Sequence, residues 1–213
     1  DAAKRASAKE IIPIVPYFPY ARQDKKDQAR GPIGAKVMAK TFETLGATDI
    51  IAFDFHADQI QGFFEIPVTH MEGKHLFADA LVDYIRDVAN VITRETENQI
   101  YRNGWDNIIL CSPDAGGTKR VKQFRDKLNA LLDLDLEYIS LDKTRAKANV
   151  ISEVKIIGDA KGKHVIIIDD MCDTAGTLCQ GADALKDNGA LSVIAVVTHG
   201  IFSGTALSKI GRS

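Results

Sequence analysis

The stretch Val165-Ile-Ile-Ile-Asp-Asp-Met-Cys-Asp-Thr-Ala-Gly-Thr177 decides the fold of this chain. Its run of four apolar residues is typical of a central strand in a parallel sheet, because such a strand is buried on both faces. Two carboxylates, Asp169 and Asp170, end the run, and a glycine-containing turn then leads into a helical pattern. Ligands of open α/β sheets bind beyond the carboxyl ends of the strands, so the stretch predicts both a fold and a binding site.

The turn Asp173-Thr-Ala-Gly-Thr177 has the features of a phosphate-binding loop. A turn that leads into a helix N-terminus offers backbone N–H groups and a favourable dipole to an anion, and Thr174 and Thr177 add hydroxyl donors. The two upstream carboxylates can accept hydrogen bonds from vicinal hydroxyls or hold a divalent cation. A sugar phosphate matches both halves. An isolated Asp173 would instead be explained as a helix N-cap, and the carboxylate pair as a solvated strand end.

Short apolar runs alternate with helical periodicities along the rest of the chain, which indicates parallel βαβ units. We predict strands at residues 11–15, 50–53, 108–111, 136–139, 154–157, 164–170 and 192–197. One helix is predicted from about Pro32, with Met38, Phe42 and Leu45 on one stripe, and a second near residues 76–88. A third helix carries Val121, Phe124, Leu128 and Leu131 at the spacing of a single buried face.

Two segments of the sequence are similar to each other, which is compatible with a duplicated domain. Residues 49–58 and residues 164–173 each run from a strand into an acidic loop, and each then reaches a glycine, Gly62 and Gly176 respectively. Duplication of an α/β domain would produce this pattern, and so would convergent strand–loop–helix chemistry.

Composition excludes several classes of protein. The chain has 213 residues, of which 45% are hydrophobic and 26% charged, as in an ordinary globular protein with a core. Its formal net charge of −2 argues against electrostatic binding to nucleic acid. The three cysteines, Cys111, Cys172 and Cys179, are interpreted as reduced thiols of a cytoplasmic protein. No apolar run is long enough for a membrane span, so no membrane partner is expected.

The segment Tyr17-Phe-Pro-Tyr-Ala-Arg-Gln-Asp-Lys-Lys26 favours a polyphosphate ligand. Arg22 can contact phosphate through two parallel hydrogen bonds, Lys25 and Lys26 supply point charges, and the aromatic rings could stack a base. By itself the segment would be explained as a solvated charged loop. The glycine-rich ATP-binding loop that commonly marks nucleotide kinases is absent from the sequence.

Three further segments contain residues that could bind a cation or a phosphate. Asp54 and His56 at a strand end offer oxygen and nitrogen ligands to a cation or its bound water, although lone histidines are usually structural. Asp114 lies in the loop 112–117, where a turn with a helix cap would also explain it. The segment Leu141-Asp-Lys-Thr-Arg-Ala-Lys-Ala-Asn149 alternates cations in what we expect to be an extended loop; alone it would be a solvated surface.

Taken together, these segments resemble a known family. The stretch 165–177 is similar to the phosphoribosyl-pyrophosphate signature shared by type I phosphoribosyltransferases and ribose-phosphate pyrophosphokinases. The segments 17–26, 54–64, 112–120 and 141–149 resemble, in order, the ATP loop, a metal-binding segment, a second cation-coordinating loop and the catalytic flexible loop of the pyrophosphokinases. The resemblance covers nearly the whole chain.

The resemblance implies a function and a set of site residues. The implied reaction transfers the diphosphoryl group of ATP to the C1 hydroxyl of ribose 5-phosphate, giving phosphoribosyl pyrophosphate and AMP with Mg²⁺ as cofactor. The implied residues are Lys143 and Arg145 for catalysis; Arg22, Gln23, Asp24, Lys25, Lys26 and His56 for ATP; Asp54, His56, Glu65 and Asp114 for metal; and Arg145, Asp169, Asp170, Asp173, Thr174, Ala175, Gly176 and Thr177 for ribose 5-phosphate.

The resemblance also implies an architecture. We expect an α/β fold of the parallel-sheet type I phosphoribosyltransferase kind, with two tandem related domains at residues 1–72 and 73–213. The first domain would be incomplete and the second truncated at its end. The family assembles as a homo-oligomer, commonly a hexamer, with sites at subunit boundaries.

The sequence departs from the family pattern at several positions. The family usually has acids at the positions of Glu65 and Thr69; Glu65 could still coordinate, whereas Thr69 weakens any cation site built on that position. Residues 87–106 are longer than usual and are interpreted as a surface insertion. The first residue is not methionine, and we expect a fragment that lacks both ends of the family chain. We therefore expect ribose 5-phosphate binding, weak ATP binding and negligible synthesis from these 213 residues.

Two alternative functions remain open at this point. A phosphoribosyltransferase for a nucleobase would explain residues 169–177 but would leave residues 22–26 and 54–64 without a purpose. A non-catalytic regulatory subunit resembling the synthetase-associated proteins would diverge in the ATP loop and lengthen the catalytic loop. Here Arg22-Gln-Asp24 and the short 143–149 stretch are retained.

Overall fold

A computed structural model describes residues 1–95, 107–144 and 153–212, and for residues 85–95, 143, 144 and 153 it describes the backbone alone. The chain divides into two compact units, Asp1–Gly73 and Lys74–Ser213. The interpretation of residues 1–72 and 73–213 as two related phosphoribosyltransferase-like domains stays a prediction.

The smaller unit is built on a short parallel sheet. Its elements are α1 (Ala2–Arg5), β1 (Ile14–Val15), α2 (Gly34–Thr44), β2 (Ile50–Phe53), a 3₁₀ helix (Asp58–Phe63) and β3 (Val68–Met71). The strands lie in the order β1-β2-β3, and both pairings are parallel. Strand β1 is shorter than the predicted 11–15, since the prolines that flank it at positions 13 and 16 have no N–H to donate to a ladder.

Aromatic rings fill the core of the smaller unit. Phe18 is buried and packs edge-on against Phe55 and Phe64, with ring centroids 5.3 and 5.7 Å apart. From α2, the small residues Ala35 and Ala39 are fully buried against this cluster. The predicted stripe on this helix is therefore partly wrong. Met38 and Phe42 pack against the core from its border, but Leu45 follows the last helical residue and is 47% exposed.

The larger unit is a five-stranded sheet between two helical layers. Its elements are α3 (Lys74–Glu95), β4 (Ile108–Ser112), α4 (Thr118–Leu132), β5 (Glu137–Thr144), β6 (Glu153–Ile157), β7 (His164–Cys172), α5 (Gly176–Asp187), β8 (Ser192–Gly200) and α6 (Ala206–Ile210). The strand order is β6-β5-β4-β7-β8. All pairings in this sheet are parallel except that of β5 with β6.

Successive residues of the central strands point into opposite helical layers, as the two-residue period of a strand requires. From β7, Ile166 and Ile168 pack in one cluster with residues of α3 and α4. Val165 and Ile167 pack in the other cluster with residues of α5 and α6. Every residue of the 165–168 run is almost completely buried, so the prediction of a central strand covered on both faces is confirmed.

Two elements of the larger unit differ from their predictions. Strand β5 continues to Thr144, where residues 136–139 were predicted, because residues 140–144 pair antiparallel with β6. This pairing converts the first part of the expected 141–149 loop into strand. On α4, Val121, Phe124 and Leu128 are buried as predicted, whereas Leu131 is 41% exposed because it lies beyond the edge of the buried face. Among the described residues, no helix is both long and apolar enough to cross a membrane.

Replacement of Leu128 by alanine tests the assignment of the buried face of α4. Leu128 is fully buried, so we expect Leu128→Ala to lower the free energy of unfolding by about 2–5 kcal/mol through lost burial and an unfilled cavity. The matched control is Leu131→Ala on the same helix, for which we expect less than about 1 kcal/mol. Urea unfolding followed by circular dichroism measures both. Equal losses in the two variants would contradict the orientation of this helix.

Candidate active site

The two acidic residues of β7 lie where this strand extends beyond one of its neighbours. The pairing of β7 with β4 ends at Ile167, whereas its pairing with β8 continues through Asp169 to Cys172. Both carboxylates therefore lie within β7 at the carboxyl edge of the sheet, and Asp169 is paired there with Val197 of β8. Ligands of parallel α/β sheets bind at this edge.

Asp170 is buried, the side chain of Asp169 is 19% exposed, and their surroundings disfavour a negative charge on both. Asp170 is 2% exposed, and its backbone N–H donates to Asp169 Oδ1 at 2.9 Å. Burial raises the pKa of Asp169 to about 7, and the hydrogen bond and negative charge of Asp170 act in the same direction. Near neutral pH the two side chains thus share a proton for part of the time. A partly protonated pair can both donate to and accept from ligand hydroxyls.

Arg120 is the cation of this site. Its Nη1 atom lies 3.6 Å from Asp169 Oδ1 and 3.6 Å from Asp170 Oδ1, so one guanidinium faces both carboxylates. Arg120 belongs to the first turn of α4, which follows β4, the strand beside β7. Sequence reasoning did not assign it a role. The available signal was its position: an arginine soon after the carboxyl end of a strand that neighbours the acidic strand.

The predicted phosphate loop, residues 173–177, leads directly into α5. Ala175 precedes the helix in the left-handed region at φ 60°, which turns the chain sharply after the strand. Gly176 is the first helical residue. A Cβ atom built on Gly176 would meet no neighbour closer than Thr174 Oγ1 at 3.8 Å, so space is open over this glycine.

The segment after β8 braces this loop from outside. The N–H groups of Ile201 and Phe202 both donate to the Cys172 carbonyl at 3.0 Å, and Ser203 N–H donates to the Asp173 carbonyl at 2.9 Å. From α6, Lys209 Nζ donates to the Thr174 carbonyl at 3.2 Å. The loop is therefore fixed through its carbonyl oxygens, an arrangement that suits a loop whose N–H groups serve a ligand.

Asp114 shapes the loop that follows β4. Its Oδ1 accepts from Gly117 N–H at 2.9 Å, and Ser112 Oγ donates to its carbonyl at 2.6 Å. The side chain is exposed, just before α4 begins. Asp114 therefore stabilises the turn, which is the alternative role given in the sequence analysis. Its exposed carboxylate can also contact a ligand.

In the smaller unit, residues 54–56 form a strained turn at the end of β2. Asp54 has a φ of 34°, and its Oδ2 accepts from Gly73 N–H at 3.0 Å. Phe55 N–H donates to His70 Nε2 at 3.1 Å, which fixes the turn to β3, and His56 is exposed. His70 was missed by sequence reasoning, because β3 itself was not predicted.

Glu65 contacts a lysine. Its carboxylate lies 3.6 Å from Lys40 Nζ, which also bonds Glu43 at 2.7 Å. The side chain of Glu65 is 82% exposed. Within the described part of the chain, no group of three or more His, Cys, Asp or Glu side chains is arranged to hold a metal ion.

The candidate ATP loop is folded by its own hydrogen bonds. Gln23 N–H donates to the Tyr20 carbonyl at 2.8 Å, and the Gln23 carbonyl accepts from Ala35 N–H at 3.2 Å. Asp24 accepts a hydrogen bond from Gln59 of the 3₁₀ helix. The side chains of Arg22, Gln23, Lys25 and Lys26 are exposed, and Lys26 also lines a groove along α2.

The predicted catalytic residues are described only in part. The backbone of Lys143 lies in β5, opposite Val154 of β6. The side chain of Lys143 and the whole of Arg145 lie outside what the structure describes.

Comparisons with known proteins agree with this architecture. A family model described as the phosphoribosyl transferase domain matches residues 85–210, and one described as the N-terminal domain of ribose phosphate pyrophosphokinase matches residues 1–46. Ribose-phosphate pyrophosphokinases 2 and 4 of Saccharomyces cerevisiae are each 46% identical to the chain over its whole length, which spans 59% and 58% of those proteins. A crystal structure of phosphoribosylpyrophosphate synthetase from Mycobacterium smegmatis matches with a TM-score of 0.81 and 35% identity, over 98% of this chain and 60% of that one.

A sheet in which an acidic strand end leads through a tight turn into a helix is typical of the phosphoribosyltransferase class, and the predicted α/β fold of this class is confirmed. Within this class, the family model of the N-terminal segment and the identity to the two yeast relatives both point to ribose-phosphate pyrophosphokinases. The chain belongs to the family described as the phosphoribosyl transferase domain, and over its whole length it is similar to ribose-phosphate pyrophosphokinases.

Replacement of Asp169 by asparagine tests the shared proton. Because the pKa of Asp169 is raised in the folded state, the folded chain binds more protons than the unfolded chain between about pH 4 and pH 7, and this residue's contribution to stability falls as pH rises through that window. Asparagine cannot ionise. We therefore expect Asp169→Asn to be more stable than the wild type at pH 8, by on the order of 2 kcal/mol, with a smaller difference at pH 5.

Urea unfolding at both pH values measures this difference. Asp135→Asn, at an exposed position in the connection between α4 and β5, controls for the general loss of one carboxylate. A difference between Asp169→Asn and wild type that does not change with pH would contradict a protonated Asp169.

Proposed function

We propose that this protein makes phosphoribosyl pyrophosphate, by transferring the diphosphoryl group of ATP to the C1 hydroxyl of ribose 5-phosphate and releasing AMP. The observation that carries the proposal is the continuous strand–turn–helix segment 165–187, in which the buried Asp170 and the partly buried Asp169 precede a turn with open space over Gly176. Family membership supports the proposal, and the two yeast relatives carry the name of this activity.

The sugar phosphate would be held by residues of the larger unit alone. The hydroxyls of Thr174 and Thr177 and N–H groups of residues 173–177 other than that of Ala175 would bind the 5-phosphate at the start of α5, where the helix dipole favours an anion. Asp169 and Asp170 would accept hydrogen bonds from the ribose hydroxyls. Arg120 would keep this pair from repelling the phosphates by balancing its charge.

ATP would be bound by exposed polar groups of the smaller unit. We assign Arg22, Gln23, Asp24, Lys25, Lys26 and His56 to this role, with Arg22 offering a two-pronged contact to a phosphate. The reaction needs positioning and charge neutralisation more than covalent chemistry. Lys143 and Arg145 would meet the charge that develops on the transferring group.

In the smaller unit, Asp54 and His56, with Glu65 as a weaker candidate, would hold magnesium together with the phosphates of ATP. In the larger unit, Asp114 is proposed as a metal ligand on its own. This sparse set of donors fits the ion, since magnesium keeps several water ligands and is commonly held by one or two carboxylates plus substrate phosphates. When bound, magnesium neutralises charge on the phosphate oxygens. The same residues without ATP would bind the ion weakly.

We also propose a cytoplasmic location and a homo-oligomeric assembly. The location is supported by the cysteines, which occur as free thiols. The assembly rests on the family resemblance alone.

An assay of AMP release tests the proposed reaction. Because the chain spans about three-fifths of its relatives, the assay is best run on a chimera in which this chain replaces the matching segment of yeast ribose-phosphate pyrophosphokinase 2. We expect AMP to form only when ribose 5-phosphate is present. Binding of phosphoribosyl pyrophosphate and a nucleobase, with no AMP release, would instead identify a phosphoribosyltransferase.

Replacement of Gly176 by valine tests the phosphate loop. A Cβ atom at position 176 would have no close neighbour, so we expect the variant to fold, but the branched group would occupy the position of the phosphate. We expect the affinity for ribose 5-phosphate, measured by calorimetry, to fall at least tenfold, about 1.4 kcal/mol. Gln180→Val, at an exposed position of the same helix, is the control and should bind normally. Unchanged affinity of Gly176→Val would refute the loop assignment.

Replacement of Lys143 by alanine tests the catalytic role in the chimera. Loss of one such electrostatic contact lowers kcat by about 10²–10³-fold, while ribose 5-phosphate affinity should change little. Lys155→Ala removes an exposed lysine from the neighbouring strand of the same hairpin and should leave kcat unchanged. If turnover barely changes in Lys143→Ala, the catalytic assignment is wrong.

A further inference from the structure

Two cysteines flank the phosphate loop. Cys172 is the last residue of β7, and Cys179 lies in the first turn of α5, so that residues 173–177 are enclosed between them. Both line one cavity of about 400 Å³, which is walled mainly by α5 and β8. The proposed reaction uses neither thiol.

Both cysteines are hydrogen-bonded to the same residue of the loop. Cys179 N–H donates to the Ala175 carbonyl at 2.9 Å, and Ala175 N–H donates to the sulfur of Cys172. Ala175 is buried and holds the left-handed conformation that turns the strand into the helix. The bond from Cys179 is a main-chain bond of the first turn of α5, whereas the bond to Cys172 involves its sulfur, so a displaced Cys172 sulfur would act on the backbone of the turn.

The two thiols are close enough to influence one another electrostatically. Burial raises the pKa of Cys172, and the negative charge of a Cys179 thiolate raises it further. Cys179 is the more exposed of the two, so a small reagent that enters the cavity meets it first. Cys111 is fully buried in β4, and burial raises the pKa of its thiol to about 12, which makes it unreactive near neutral pH.

We propose that Cys172 and Cys179 form a reversible disulfide when the protein meets a peroxide, and that this bond lowers the affinity of the phosphate loop for ribose 5-phosphate. A disulfide holds its two sulfurs about 2.05 Å apart and fixes the torsion between them. The bond removes the Cys172 thiol that Ala175 N–H now contacts and ties the first turn of α5 to the strand end. The loss of affinity rests on the proposed function; the disulfide itself does not.

The chemistry balances with one equivalent of peroxide. The Cys179 thiolate attacks one peroxide oxygen, so that an S–O bond forms, the O–O bond breaks and hydroxide leaves. The Cys172 sulfur then attacks the Cys179 sulfur, the S–S bond forms, the S–O bond breaks, and water leaves with the Cys172 proton. The two thiols are oxidised by two electrons in total, and the peroxide is reduced to two molecules of water.

The test treats the full chain with one equivalent of hydrogen peroxide. We expect a mass loss of two hydrogen atoms, a peptide map that links Cys172 to Cys179, and at least a tenfold loss of ribose 5-phosphate affinity by calorimetry. Dithiothreitol should restore both the mass and the affinity. Cys179→Ser should bind ribose 5-phosphate normally before and after treatment, and Cys111→Ala should respond as the wild type does.

Each other outcome decides against part of the proposal. A linkage that includes Cys111, or a stable sulfenic acid with no linkage, would overturn the disulfide. A mapped Cys172–Cys179 bond with unchanged affinity would overturn its effect on the loop. A reduced chain that binds no ribose 5-phosphate would overturn the proposed function, while the peptide map would still decide the disulfide.

Discussion

Strand β7 is buried on both faces, and this burial constrains the rest of the larger unit. Because alternate residues of the 165–168 run point into opposite clusters, both helical layers are positioned by one strand. The same strand then carries Asp169 and Asp170 past the last residue paired with β4. The position of the polar edge is consequently set by packing on both sides of the sheet, and it does not depend on the flexibility of a surface loop.

Burial of two adjacent carboxylates carries an electrostatic cost that the fold must offset. Desolvation and mutual repulsion both disfavour the doubly ionised pair, which explains why the pKa of Asp169 is raised. The parallel topology supplies the compensation, since α4 begins beside this edge and brings Arg120 to both side chains. A ligand at this edge would thus meet carboxylates whose charge is already partly balanced by Arg120.

The sequence predicted those elements whose structure depends on the residues of one continuous segment. The central strand, the buried face of α4 and the turn from β7 into α5 all lie within continuous patterns of apolar, acidic or small residues, whereas the binding of phosphate by this turn stays a prediction. Prediction failed where a partner distant in sequence decides the structure. Strand β5 is longer than predicted because β6 pairs with it. Strand β3 was not predicted, because its alternation of apolar and polar residues is too weak to indicate a strand without its pairing to β2. Arg120 faces the two carboxylates of β7 only because its helix follows the strand beside β7. The assignments of ATP, metal and catalytic residues still rest on resemblance.

The antiparallel pairing of Thr144 with Glu153 determines what a change in the length of the connection between β5 and β6 would cost. The pairing holds residues 144 and 153 together, so the chain between them loses conformational entropy when the protein folds, before any ligand binds. Lys143 is held one residue inside this closure, opposite Val154. Each doubling of the connection would cost only about 0.6 kcal/mol of folding stability. The backbone position of Lys143 is therefore fixed by its pairing with Val154 and not by the length of the connection.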